Sequence, residues 1–151
     1  MPRTAATVLK RAEQALSAAK QSALKPAHLT VSQYSALLHL SLNPGISAAA
    51  LARACAVTPP TMNTVLKNLQ ENGLIERTPH EWHRNILETR LTEKGERVLA
   101  EGDARAVRVE RGLSAEFSQE ERETLVALLG RCIEHLQSAL PDQPGGRDQR
   151  G

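Results

Sequence analysis

The sequence predicts a mainly helical protein with one small two-stranded β element. Of its 151 residues, 40% are apolar and 24% are charged, as in an ordinary globular chain of one or two small domains. Only Tyr34, Trp82 and Phe117 are aromatic. The core must therefore be built from Leu, Val, Ile and Ala, which suit packed helices better than a sandwich or barrel. Apolar residues also recur at helical spacing along most of the chain, which nearly excludes an all-β fold.

The first third of the chain predicts three helices. Residues 5–24 carry apolar side chains at helical spacing, which indicates a first helix. Thr30 and Gln33 form a capping-box pattern that starts a second helix, and the Asn-Pro-Gly run at 43–45 ends it. Ser47 then begins a short third helix that reaches about residue 54.

A fourth helix and a ribbon follow. The run 58–60 (Thr-Pro-Pro) places a cap and two prolines at a helix start, where the missing N–H groups cost least. The apolar residues of this helix fall at i, i+3, i+4 and i+7: Met62, Val65, Leu66 and Leu69. The helix ends at 72–73 (Asn-Gly). Residues 74–78 and 86–91 read as short strands, and the polar loop between them is long enough to predict a projecting ribbon.

Two further helices and a polar tail complete the chain. Thr92 caps a fifth helix, and Ser118 with Glu121 forms a capping box for a sixth. Residues 141–151 contain two prolines, three glycines and no large apolar side chain. This composition predicts a disordered tail.

Charge and cysteine content favour a reduced cytoplasmic protein over a secreted or membrane protein. The net charge of +2 is no nucleic-acid signature, but residues 1–30 carry five basic and one acidic residue. By the same count, the net charge is +1 over 31–95 and −3 over 96–151. Two cysteines are too few for a disulfide framework. The N-terminus lacks an apolar leader, and polar residues interrupt the charge-free run 26–52, so we expect no membrane partner.

The order helix, turn, helix and ribbon is that of a winged helix-turn-helix, in which one helix enters the major groove of DNA. Asn63, Thr64 and Lys67 lie opposite the apolar stripe of the fourth helix. Asn63 can pair with adenine, Thr64 can contact a base edge or a thymine methyl, and Lys67 can meet guanine or phosphate. Thr61 and the helix dipole can bind phosphate, and Arg84 in the loop suits a narrow minor groove. The predicted DNA contacts are Thr58, Pro59, Pro60, Thr61, Asn63, Thr64, Lys67, Arg77, Arg84 and Arg90.

Other residues of the ribbon have more than one interpretation. Arg77 and Arg90 either contact phosphates or pair with glutamates across the strands. Trp82 at the loop tip could insert between bases, but we expect it to pack against the wing base or another chain. His80 and His83 could invite a metal ion, but the pattern offers no third or fourth ligand nearby, and we expect no metal site.

Five ordered segments carry a family resemblance: Leu29-Thr30-x-x-Gln33-Tyr34, Leu51-Ala52, Val57-Thr58-Pro59-Pro60-Thr61-Met62, Leu69-x-x-x-Gly73-Leu74-Ile75-x-Arg77 and Arg90-Leu91-Thr92-Glu93-Lys94-Gly95. At these spacings the chain resembles the MarR (multiple antibiotic resistance regulator) transcription factors from about Leu29 to Leu140. The last segment, which follows the wing, is the most specific. The wing itself departs from the family pattern, since Asp before a double arginine is replaced by His83-Arg84-Asn85.

The resemblance implies a homodimer that binds a pseudo-palindromic operator and releases it when a small anionic or aromatic effector binds. It divides the chain into an N-terminal dimerisation helix (1–29), a winged helix-turn-helix region (30–95), C-terminal dimerisation helices (96–140) and a disordered tail (141–151). We expect no cofactor. An effector pocket is predicted where the second helix meets basic residues of the first, with these residues: Lys20, Lys25, Tyr34, Leu38 and His39.

Three alternatives remain open. Thiol-based redox control is the runner-up for regulation, although we expect Cys55 and Cys132 to be small core residues. The peroxide-sensing relatives carry their reactive cysteine near the first helix, where this chain has none. A winged helix used only for protein contacts would retard no DNA. An enzyme would need a nucleophile–base pair or a phosphate loop, and because neither motif appears we expect no catalysis.

Overall fold

The computed structural model describes residues 3–83, 85 and 87–140. The expected fold class, mainly helical with a small β-wing, is confirmed. The elements are α1 (Ala5–Leu24), a 3-10 turn (Lys25–Ala27), α2 (Val31–Leu42), α3 (Ala48–Ala54), α4 (Pro59–Glu71), β1 (Ile75–Pro79), β2 (Leu87–Leu91), α5 (Glu93–Ala115) and α6 (Gln119–Ser138). Strand β1 begins one residue later than predicted because Leu74 belongs to the turn that ends α4. The predicted start of the second strand, Ile86, and the predicted tail lie outside the described residues.

Side-chain caps begin the helices where the sequence predicts. Thr30 and Ser118 each accept the backbone N–H three residues further on. The side-chain oxygens of Gln33 and Glu121 accept the backbone N–H of the capping residue in turn, so both capping boxes are confirmed. Thr58 caps α4 in the same way. Because these oxygens satisfy donors that a helix start otherwise leaves free, they fix where α2, α4 and α6 begin.

The chain divides into two units, Met1–Glu110 and Arg111–Gly151. The first unit has an aliphatic core, to which α1, α2, α3 and α4 all contribute. Its largest fully buried side chains are Leu24, Leu37, Leu40, Leu51, Met62, Leu66 and Leu69. All four residues of the stripe predicted for α4 are buried, so that prediction is confirmed. The opposite face of α4 is left in solvent.

Hydrogen bonds and close packing join the base of the wing to the start of α5. Thr92 donates its hydroxyl to the carbonyl oxygen of Gly73 at 2.6 Å and accepts the N–H of Gly95 at 3.1 Å. A Cβ added at Gly95 would overlap the carbonyl oxygen of Leu74. The Thr-x-x-Gly spacing after the wing therefore has a packing reason, since only glycine allows this approach of helix to strand.

The second unit contains the end of α5 and the whole of α6. No residue of α6, over the described range Gln119–Ser138, is buried. Cys132 is only half-buried, so the expectation of a core residue is wrong for the single chain. The exposed large apolar side chains of this unit are Leu113, Leu125, Val126, Leu128, Ile133, Leu136 and Leu140. None of the described helices has the length and apolar composition needed to cross a membrane.

Candidate DNA interface

The exposed face of α4 carries the predicted base-reading residues. Pro60, Asn63, Thr64 and Lys67 are all exposed, and their spacing of i, i+3, i+4 and i+7 aligns them along one side of the helix. A helix of 13 residues is about 20 Å long. The structure therefore presents one exposed edge, polar from Asn63 to Lys67, of a shape that the major groove of DNA admits.

The N-terminus of α4 offers a hydroxyl group rather than free N–H groups. Pro59 and Pro60 have no N–H, and the N–H of Thr61 lies 3.4 Å from Oγ1 of Thr58. The N–H of Met62 is bonded to the Thr58 carbonyl oxygen at 3.0 Å. Thr58 also donates its hydroxyl to Oγ1 of Thr61 at 2.9 Å. Since the Thr61 oxygen accepts that bond, its own proton is available for a phosphate at the positive end of the helix dipole.

Two further contacts define what the middle of α4 can recognise. The Thr64 hydroxyl donates to the carbonyl oxygen of Pro60 at 3.2 Å. This leaves the oxygen of Thr64 as an acceptor for a base amino group and its methyl as a contact for thymine. The ammonium group of Lys67 lies 4.0 Å from the carboxylate of Glu71, one turn further on. Sequence reasoning missed Glu71, although the i, i+4 spacing of these opposite charges could have revealed it.

The wing holds the predicted arginines in different environments. Strands β1 and β2 pair antiparallel, with Arg77 opposite Thr89. Arg77 is half-buried, and its Nε has no hydrogen-bond partner among the described residues. Arg90 is exposed and pairs at 3.4 Å with Glu88 of the same strand rather than with a glutamate across the ribbon, and its phosphate contact stays a prediction. Arg84 lies outside the described residues, and its groove contact stays a prediction.

The wing tip is organised around His80. Nδ1 of this ring accepts the backbone N–H groups of Trp82 at 3.1 Å and His83 at 3.2 Å. On the other side, Nε2 lies 3.3 Å from a carboxylate oxygen of Glu88. The Trp82 side chain is 82% exposed, so the expected packing against the wing base is absent. In the described part of the chain, no three His, Cys, Asp or Glu side chains come together as a metal site would require.

The residues predicted for the effector do not share one cavity. An open cavity of about 610 Å³ lies at the C-terminal end of α1 and the 3-10 turn. It is lined by Ala18, Gln21, Ser22, Lys25, His28, Leu29 and Thr30. Lys25 alone comes from the predicted set. The ammonium group of Lys20 instead lies 3.4 Å from the carboxylate of Glu110. Leu38 packs against the core, and His39 is half-buried near the end of α2.

Tyr34 links α2 to α5 through its hydroxyl group. The hydroxyl donates to a carboxylate oxygen of Asp103 at 2.7 Å. Burial and this hydrogen bond raise the pKa of Tyr34 well above its usual range, so the phenol is a neutral donor at any physiological pH. The ring also packs close to Gly102, at which a Cβ would come within 3.4 Å of it. Tyr34 is thus already engaged in joining two helices.

The two cysteines are free thiols in different settings. Cys55 is half-buried at the C-terminus of α3, packs against the core, and accepts the Ser35 hydroxyl at 3.5 Å. This placement agrees with the expected role as a small apolar residue. Cys132 lies on α6.

Known proteins share both the sequence motifs and this arrangement. The sequence profile of the MarR family matches residues 29–84, from the end of the 3-10 turn region into the wing loop. The HTH-type transcriptional repressor Rv2887 of Mycobacterium tuberculosis is 37% identical over 83 residues, or 55% of this chain and 60% of the repressor. The match thus spans only 60% of the length of that relative. YybA of Bacillus subtilis, an uncharacterized HTH-type transcriptional regulator, is 33% identical over 128 residues, or 82% of this chain and 83% of YybA.

Solved structures extend the likeness to nearly the whole described chain. The transcriptional repressor CouR, bound to a 23-mer DNA duplex, has a TM-score of 0.78 at 28% identity, covering 86% of this chain and 92% of CouR. Rv2887 in complex with p-aminosalicylic acid has a TM-score of 0.69 at 28% identity, covering 85% of this chain and 98% of that chain. The fold and the exposed α4 face define a winged helix-turn-helix protein. The chain belongs to the MarR family of transcriptional regulators.

Proposed function

We propose that this MarR-family protein is a cytoplasmic transcriptional repressor that binds a specific pseudo-palindromic operator in double-stranded DNA as a homodimer. The observation that carries the proposal is the polar face of α4, where Asn63, Thr64 and Lys67 are exposed beside an N-terminus bearing a free hydroxyl proton. The likeness to CouR, which is bound to a DNA duplex, supports the same use of this face.

Each side chain of the face has a distinct role in the proposal. Asn63 reads one adenine through a bidentate pair of hydrogen bonds. Thr64 contacts a base amino group or a thymine methyl, while Thr61 and Lys67 hold phosphates. The wing adds phosphate and minor-groove contacts, for which Arg77, Arg84 and Arg90 are proposed (Arg84 from the sequence alone).

Dimerisation is proposed because two helices carry apolar side chains that their own units leave uncovered. Val8 of α1 is 49% exposed and Leu136 of α6 is 59% exposed. A second copy is the proposed cover, since a two-fold dimer also places two recognition helices on half-sites about 34 Å apart. Leu136→Glu should give a monomer that binds operator poorly, whereas Gln137→Glu, on the adjacent exposed position, should stay dimeric. Sedimentation of both variants and wild type tests this, and a monomeric wild type at micromolar concentration would overturn it.

A small anionic or aromatic effector is proposed to release the operator. The cavity beside Lys25 supports this proposal, because it offers a cation next to apolar and hydroxyl side chains. The complex of Rv2887 with p-aminosalicylic acid supports the same class of ligand. We assign no catalytic step to the protein, since regulators of this family act by binding.

Recovery of genomic DNA bound to the protein, followed by titration of a recovered duplex, tests the central proposal. Specific retardation should weaken steeply with salt, and Lys67→Ala should make the slope of log K against log salt shallower by about 0.9. Lys10→Ala removes another exposed lysine, from α1, and should leave that slope unchanged. If no genomic fragment is enriched and no duplex is retarded, the wing and α4 serve protein contacts instead.

A further inference from the structure

The wing tip of this protein is held by a side chain rather than by a backbone turn alone. His80 follows directly after β1, and its Nδ1 atom accepts two consecutive backbone N–H groups, from Trp82 and His83, at 3.1 and 3.2 Å. This is the geometry in which an Asn or Asp oxygen caps the turn that follows it. An atom that accepts two N–H groups carries no proton of its own. These two hydrogen bonds therefore require the neutral ring, with its proton on Nε2.

The opposite edge of the ring is tied to the second strand. Nε2 lies 3.3 Å from a carboxylate oxygen of Glu88, whose other oxygen lies 3.4 Å from the guanidinium group of Arg90. Nε2 is thus the ring nitrogen that faces the negative charge of Glu88, which favours a proton on that side of the ring. His80 bridges the tip of the loop to the stem of the ribbon.

Protonation would act differently on the two edges. The imidazolium ion is a donor at both nitrogens, so Nδ1 would face the N–H groups of Trp82 and His83 and lose both hydrogen bonds. The contact with Glu88 would be kept, which tethers the ring to β2 while the tip is freed.

Among the described residues, the charged and titratable groups around His80 come from the loop and from β2. The His83 ring lies 5.5 Å from the His80 ring, centroid to centroid, and Glu81, between His80 and Trp82 in the chain, is exposed. Glu88 and Arg90 face it from β2. The turn between α2 and α3 also lies near Glu88: a Cβ added at Gly45 would lie 3.9 Å from the Glu88 carboxylate. This turn, residues 43–47, carries no charged side chain.

We propose that His80 is a positioning residue of the wing: its neutral ring holds the backbone of Trp82 and His83 in place, and protonation of the ring frees this segment and lowers operator affinity. The DNA part of this inference rests on the proposed function.

Two substitutions separate the edges of the ring. His80→Asn keeps an acceptor at the place of Nδ1 and cannot be protonated, so it should keep the turn and lose the pH response. In His80→Gln, the longer side chain can place its amide donor near Glu88, where Nε2 lies in wild type. It has no acceptor at the position of Nδ1 for the N–H groups of Trp82 and His83. His83→Asn removes the neighbouring titratable ring and serves as the control.

Operator affinity should be measured for all four proteins at about pH 7.5 and about pH 5.5, across the range in which imidazole titrates. Relative to His80→Asn, wild type and His83→Asn should lose about fivefold in affinity on acidification, the factor that one ordinary hydrogen bond represents. His80→Gln should bind weakly at both pH values. Comparison with His80→Asn removes the general gain in DNA affinity that any protein shows as its positive charge rises. Parallel pH profiles of wild type and His80→Asn would overturn the proposal.

A second measurement needs no DNA. Trp82 is the only tryptophan of the chain, so fluorescence anisotropy of the free protein reports on the wing tip alone. The anisotropy should fall on acidification in wild type and His83→Asn, and stay constant in His80→Asn. An unchanged anisotropy in wild type would overturn the proposed release of the tip, whatever the affinity measurements show. A further outcome is that the anisotropy responds as expected while no duplex binds at any pH. In that case the proposed DNA-binding function fails, and the role of His80 as a positioning residue of the wing is retained.

Discussion

Replacing Gly95 by alanine should destabilise the protein and disturb the wing, while the same replacement at Gly112 or Gly130 should raise stability. The added Cβ would overlap the Leu74 carbonyl oxygen and lie 3.0 Å from the Leu74 carbonyl carbon, and these are backbone atoms that no rotamer change can move. The start of α5 must then separate from the turn before β1. That movement also strains the bonds of Thr92 to Gly73 and Gly95.

The magnitude follows from two opposing effects. Alanine gains about 1 kcal/mol over glycine inside a helix. Forcing a methyl group into a packed backbone contact costs about 3 kcal/mol, the upper part of the range for overpacking, because the neighbour is rigid. Gly95→Ala should therefore lose about 2 kcal/mol of unfolding free energy, or about 4–8 °C in Tm for a chain of this size.

Gly112 and Gly130 provide matched controls in α5 and α6. Among the described residues, nothing lies within 4 Å of a Cβ added at either position. Gly112→Ala and Gly130→Ala should each raise stability by up to about 1 kcal/mol. Urea and thermal unfolding at one protein concentration measure all three variants. If Gly95→Ala proves as stable as wild type, the close approach of α5 to Leu74 is not what the Thr-x-x-Gly motif preserves.

Three further predictions concern DNA and ligand binding. Asn63→Ala should cost about 1–3 kcal/mol at one base pair and relax the preference there, as measured on a panel of singly substituted duplexes; a uniform loss across the panel would refute base reading. Glu71→Gln should strengthen operator binding, because it removes a carboxylate 4.0 Å from the Lys67 ammonium group, and an unchanged affinity would show that Lys67 does not approach phosphate in the complex. Millimolar salicylate-like acids should weaken operator binding under full reduction, and the double variant Cys55→Ser, Cys132→Ser should still respond while Lys25→Ala should not. A double serine variant that loses all response, with oxidants alone releasing wild type, would instead establish thiol control.

The parts of the fold that the sequence predicts well are those decided by neighbours in the chain. Thr30 and Ser118 cap their helices through residues only three positions away, and the buried stripe of α4 repeats within two turns. Such patterns depend on local geometry, which the residue order determines directly. The face opposite the stripe then follows without any tertiary information.

What the sequence could not predict depends on distant segments. Tyr34 meets Asp103 across 69 positions, and this contact removes the hydroxyl that seemed available for an effector. Lys20 is likewise engaged by Glu110, 90 positions away. The role of His80 requires the hairpin to close, because only the pairing of β1 with β2 brings Glu88 to its ring. A pattern search on single residues gives no signal for such pairs.

The charge distribution explains why operator binding should need two copies. The net charge of the chain is only +2, and the exposed face of α4 has a single lysine, which a glutamate accompanies. With the three arginines proposed for the wing, the proposed interface of one subunit offers about four cations to DNA, and each phosphate contact contributes about 0.9 to the salt slope. A single copy therefore resembles a weak, nonspecific binder more than a repressor. Joining two copies doubles the phosphate contacts and lets the second α4 bind at the high local concentration set by the first. We therefore expect the uncovered apolar side chains of α1 and α6 to matter for operator binding as much as the base contact proposed for Asn63.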